Sequence, residues 1–127
     1  TTTIQANGRV SLLSGTVVGA NSSELRGLTV KAQGGNNAVA IYSGGASLRL
    51  NNITAVAGSA SAMNVAVYYR NTPAAELTNV TADASGGSDA RGLYLQSSSL
   101  VLAAVRASAQ LATACTGAYL LDSNTVV

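Results

Sequence analysis

This 127-residue chain has five acidic side chains, Glu24, Glu76, Asp83, Asp89 and Asp122, and no histidine. Cleaving a glycan takes either two carboxylates roughly 5 to 9.5 Å apart across the scissile bond, or several carboxylates around calcium with a base nearby. Glu24 and Glu76 have suitable spacing in the repeat described below, but Arg49 falls between them and would hold both ionised. Asp83 and Asp89 flank Gly86-Gly87 and are too few to make a calcium site. Cys115 has no partner for an intrachain disulfide, and without His there is no zinc, haem or redox motif. A lone cysteine of this kind is expected to be a small buried hydrophobe. The chain is therefore read as non-enzymatic, with no catalytic residue, no cofactor and no metal.

Binding chemistry is carried by tyrosine. Tyr42, Tyr68, Tyr94 and Tyr119 recur at spacings of 26, 26 and 25 residues in "AIYS", "AVYY", "GLYL" and "AYLL". Their neighbours Ile41, Val67, Leu93 and Ala118 are the more aliphatic set and are expected to point inward. The tyrosines then form an outward stripe beside the small residues Ala40, Ala66, Gly92 and Gly117. Such a stripe suits a protein contact or sugar stacking. Arg91 shares a face with Leu93 under strict alternation and argues for the opposite facing, in which the tyrosines form an internal stack without a binding role.

These residues must be positioned by a repeat that runs through the chain. "LRGLTVKAQ", "LNNITAVAG", "LTNVTADAS" and "LAAVRASAQ" start at Leu25, Leu50, Leu77 and Leu102, at spacings of 25, 27 and 25. Periods of this size indicate a solenoid, whose units bury their apolar faces only by stacking on one another. Within a unit Leu28, Val30 and Ala32 alternate with Thr29 and Lys31, which is strand periodicity. The same holds for Ile53, Ala55, Ala57, for Val80, Ala82, Ala84 and for Val105, Ala107, Ala109, all expected inside. Gly34-Gly35, Gly44-Gly45, Gly58 and Gly86-Gly87 mark corners with positive φ. The Ala-rich "ASAQLATA" at 107 to 114 is the one stretch that tempts toward helix.

The repeat resembles those of right-handed parallel β-helices with a pectate-lyase-like fold. "LTNVTADASGGSDARGLYLQSSS" at 77 to 99 is similar to repeats of bacterial secreted and phage tail-fibre proteins. The resemblance implies a right-handed, three-stranded coil. The fold class expected is all-β, one parallel β-helix domain over 1–127 of about five coils. Architecture of this kind does not by itself specify function.

Composition narrows the partners. Charged residues are 9% of the chain, with a net charge of +2 and no basic run, so no nucleic-acid surface is expected. The apolar run "LVLAAV" at 100 to 105 is far short of the roughly 18 residues of a spanning helix, so no membrane insertion is expected. Stacked coils turn every column into a ladder. Glu24, Arg49 and Glu76 alternate in sign, and Asn52 and Asn79 stack at a bend, although each, like Asn21, also begins a glycosylation sequon. The Thr29, Thr54, Thr81 column suggests ice binding only weakly, because Lys31, Val56 and Asp83 break the next column.

No capping unit is evident at either end, and Val127 falls 25 residues after Leu102 while Thr1 aligns with Arg26. The expected role is structural: a subunit that stacks head to tail on copies of itself through Thr3, Ile4, Val126 and Val127. The product would be an extracellular filament or a segment of a surface or tail fibre. The alternative is a carbohydrate-binding or glycan-depolymerising module, with the tyrosines as platform and Glu76, Asp83 and Asp89 as polar contacts.

Overall fold

The computed structural model describes residues 2–7 and 15–126. Eleven strands follow in order: β1 (Thr2–Asn7), β2 (Val17–Val18), β3 (Glu24–Gln33), β4 (Asn37–Gly44), β5 (Arg49–Gly58), β6 (Met63–Arg70), β7 (Ala75–Ser85), β8 (Asp89–Gln96), β9 (Ser99–Gln110), β10 (Ala114–Leu121) and β11 (Asn124–Val126). Odd-numbered strands form one sheet in the order β1-β3-β5-β7-β9-β11, and even-numbered strands form the other, β2-β4-β6-β8-β10. Every pairing is parallel. The chain is thus an all-β parallel solenoid of about five turns. The Ala-rich stretch at 107 to 114 is strand and turn, because its alternate residues Ala107 and Ala109 continue the inward columns of Ala82 and Ala84.

The columns read from the repeat are the ones that pair. Leu25, Leu50, Leu77 and Leu102 lie in register, as do Val30, Ala55, Ala82 and Ala107. The inward set Val30, Ala32, Leu50, Ile53, Ala55, Ala57, Leu77, Val80 and Ala82 forms the main core with Ile41, Val67, Leu93 and Leu95. Thin aliphatic packing of this kind follows from a chain with no Phe or Trp. One aromatic does enter it: Tyr69 is fully buried and donates its hydroxyl to the Leu48 carbonyl at 2.7 Å.

Each coil turns three corners through left-handed residues. One column holds Gly27, Asn52, Asn79 and Ala104, at φ of 66, 54, 51 and 53°. It bends each long strand, and pairing skips this position in every coil where it is flanked by ladder bonds. The second column is Gly34, Ser59, Gly86 and Leu111; the third is Gly45, Asn71, Ser97 and Asp122. The corner expected at Gly58 is therefore turned by Ser59, and of the Gly44-Gly45 pair only Gly45 takes positive φ. Asn, Asp and Ser tolerate this region because their short polar side chains bond locally, and Gly because it lacks Cβ.

Polar groups enclosed at the corners are satisfied. Asn64 accepts from the Ala60 amide at 3.0 Å and donates to the carbonyls of Ala60 and Gly86 at 3.2 and 2.9 Å. Hydroxyls bridge successive coils where the Thr72 amide donates to Ser98 Oγ and the Ser98 amide to Ser123 Oγ, at 3.1 and 3.0 Å. Among the described residues no buried side-chain nitrogen or oxygen lacks a partner. Those bonds fix the coil-to-coil register on the narrow side, where little apolar area is available to do so.

Candidate functional site

The alternation that governs the long strands fails once per coil in the even-numbered sheet. Ala38, Ala40 and Ile41 all belong to the main core, whereas Val39 and Tyr42 belong to a second, separate cluster. Two consecutive residues, Ala40 and Ile41, thus face inward, and pairing skips the column Ala40, Ala66, Gly92, Gly117. A Cβ on Gly92 would lie 2.7 Å from the Ser108 amide nitrogen and carbonyl oxygen and 2.8 Å from the Ala82 carbonyl. The strand dips here until its backbone touches the opposite sheet. The small column is therefore inside, not on the surface beside the tyrosines.

Outside, the dip is a groove running along the solenoid. Tyr42, Tyr68, Tyr94 and Tyr119 pair in one column and fill it from one wall. Val39, Val65 and Met63 fill it from the other. The tyrosines do point away from the coil interior, but Tyr42 and Tyr68 are only 8% and 3% exposed. Their rings contact one another: Tyr42 and Tyr68 edge to face at 5.3 Å, Tyr68 and Tyr94 stacked at 4.3 Å, Tyr94 and Tyr119 edge to face at 5.3 Å. The flat open stripe expected from the sequence is thus a closed ladder over its first two rungs. Burial first, and then the neighbouring Tyr94 hydroxyl, push the Tyr68 phenol up to about 12. Burial alone pushes Tyr69 higher still.

Arg91 completes the groove. Its guanidinium lies 4.5 Å from the Tyr94 ring centre and 3.9 Å from that of Tyr119, and it forks Asp89 through Nε and Nη2 at 3.1 and 2.7 Å. The dip at Gly92 puts Arg91 on the tyrosine side while Leu93 turns inward, so the arginine no longer opposes the outward facing. With Asp89 forked by Arg91 and Asp83 accepting from the Ser108 hydroxyl, each carboxylate has its own protein partner. Among the described residues no three His, Cys, Asp or Glu side chains gather as a metal site.

The charge ladder closes on one rung. Glu24 takes Arg26 at 2.9 Å and Arg49 at 3.7 Å, and no Arg49–Glu76 ion pair forms. Arg49 leans toward Glu24, leaving Glu76 beside an open cleft of about 480 Å³ that it shares with Arg49, Ala74, Ala75 and Val101. Asn79 donates to Asn52 at 2.6 Å, so the stacked amides of the bend are linked.

The ends present unpaired edges. β1 pairs only with β3, β2 only with β4, and β10 only with β8. Thr3 and Val126 point outward and are exposed; Ile4 lies in the inward column of Val30 yet is 38% exposed because no coil covers it on that side. Val127 and Thr1 lie outside the described residues. The pairing of Thr2 with Leu28 shifts the expected phase of the first coil by one residue, since it places Thr1 opposite Gly27 rather than Arg26. Cys115 occupies the inward column of Ala38, Asn64 and Ala90 but is exposed for the same reason as Ile4, which corrects the expectation of burial.

Compared with protein-family models, with curated proteins and with solved structures, the chain matches none. The likeness to β-helical proteins accordingly rests on the solenoid itself.

Proposed function

We propose that the chain is a non-enzymatic structural β-solenoid subunit that stacks end to end on copies of itself, as an extracellular filament or a segment of a surface or tail fibre. The observation that carries this reading is the pair of open ends: two parallel sheets whose outer strands offer unpaired backbone groups beside partly exposed apolar columns. An uncovered parallel edge is a template for further strands. Addition at such an edge is heterologous and does not close on itself, so it propagates.

Electron microscopy of the purified chain tests the proposal. Stacked five-coil subunits give fibres with an axial repeat of about 24 Å, or a small multiple, from coils about 4.8 Å apart. Val126→Pro removes a backbone donor from β11 and is expected to suppress growth while leaving the far-UV circular dichroism of the monomer in place. A lysine at 126 is a poor blocker, because Val126 continues the outward column of Val101, next to the Glu76 and Arg49 positions. Discrete particles at all concentrations would sink the reading.

A further inference from the structure

The two ends differ in the sizes of their inward residues, and the differences complement one another. On the β1 and β2 end the inward column positions hold Ile4, Val17 and Gly19. Ile4 heads the column Val30, Ala55, Ala82, Ala107, and Val17 heads Ile41, Val67, Leu93, Ala118. Gly19 sits against Ser43, the head of the column Tyr69, Leu95, Leu120. At the β9 and β10 end these columns terminate in Ala107, Ala118 and Leu120. Wherever one end carries a bulky side chain the other carries a small one.

We infer that, given end-to-end stacking, one register joins the two ends: Ile4 over Ala107, Val17 over Ala118 and Gly19 over Leu120 of a second copy. The inference rests on the stacking reading above and adds polarity and register to it. Leu120 is 44% exposed, and in this register it is covered by a position with no side chain. The interior volume of each column then continues across the contact without a void or an overlap, as close packing requires. β1 takes the next place beside residues 105–110 of β9, whose outer edge β11 leaves unpaired because it bonds only Ser99, Leu100 and Val101. Outside, Val18 falls on Tyr119, so the groove passes from one copy to the next lined by apolar side chains. A contact between like ends instead joins strands antiparallel and interrupts both ladders.

A size swap tests the register. Ala107→Ile sets Ile against Ile4 and Ile4→Ala leaves a gap over Ala107; each is expected to raise the critical concentration for assembly about tenfold. The double variant restores one large and one small residue and is expected to return within about threefold of the wild type. Additive losses in the double variant would overturn the register while leaving stacking intact, because the wild type still assembles. A wild type that never assembles overturns the stacking reading and this inference with it. A second measurement does not depend on core substitutions: Thr3→Cys with Arg106→Cys, in a Cys115→Ser background, treated with a short bis-maleimide. Thr3 and Arg106 head and end one outward column through Thr29, Thr54 and Thr81. A covalent ladder of multimers that needs both cysteines supports the register, and dimers formed by the Thr3→Cys chain alone overturn it.

Discussion

The phenol rings of Tyr68 and Tyr94 lie face to face, 4.3 Å between centres and 2° from parallel, although they come from different coils 26 residues apart. Parallel in-register strands bring like side chains to about 4.8 Å, so a residue repeated once per coil becomes a stack. The edge-to-face contacts above and below let the outer rings tilt toward favourable quadrupole geometry.

Alkaline pH should weaken the fold through this stack. The Tyr68 phenol is raised to about 12 in the folded chain from an ordinary 10.0, chiefly by burial. Its neutral form is the one the fold favours. The contribution is therefore complete below pH 10 and is lost as pH rises toward 12, where the unfolded chain has already released the proton. Urea midpoints at pH 8, 10 and 11 should fall across that window, and Tyr68→Phe should flatten the fall. An equal slope in the variant would show that Tyr68 is not its source.

Gly92→Ala should cost more than its size suggests. The added methyl meets backbone atoms of Ser108 and Ala82 at 2.7 to 2.8 Å, which no rotamer can relieve. Ala66 occupies the same column one coil earlier and is fully buried. A loss of about 1 to 3 kcal/mol is expected from overpacking, measured by chemical denaturation. By contrast Gly86→Ala has open space around the methyl, with the nearest atom at 3.7 Å, and is expected to lose about 1 to 2 kcal/mol from its φ of 84° alone.

Arg91→Met should destabilise by about 1 to 3 kcal/mol and change the near-UV circular dichroism of the tyrosines. The substitution removes the cation over Tyr94 and Tyr119 and strands the Asp89 carboxylate, which is 22% exposed. Asp89→Asn combined with Arg91→Met should lose less than Arg91→Met alone, because no unpaired charge remains. Strict additivity in that cycle would mean that the fork is not coupled.

The solenoid and its registers were legible because they depend on a feature that sequence displays directly, the return of one residue type at a near-constant spacing. Leu77 pairs with Leu50 and Leu102, and Tyr94 with Tyr68 and Tyr119, as the spacing requires. The tyrosine groove was only half legible. Its facing depends on the dip at Ala40, Ala66, Gly92 and Gly117, where two neighbours in sequence turn inward together. Period-2 reasoning has no way to register that, but the small-residue column was its visible trace, as was Arg91 appearing on the wrong face. Cys115 was misread for a different reason: its column faces inward, but burial in a solenoid comes from the next coil as well as from facing. Glu76 lacks its expected partner because register places residues side by side without deciding which way a long side chain leans.

The coil from Leu50 to Leu77 is two residues longer than its neighbours, yet Gly58 still pairs with Ser85, Val67 with Leu93 and Leu77 with Leu102. Both extra residues are taken up at turns, one between β5 and β6 and one between β6 and β7, near the overhang of Pro73 and Ala74. Length changes at these turns are invisible to the hydrogen-bonded ladders. The molecule therefore behaves as a rigid ruler with replaceable tick marks: foreign loops spliced at 59–62 or 71–74 would be displayed at a fixed height along the axis while the sheets beneath kept their count.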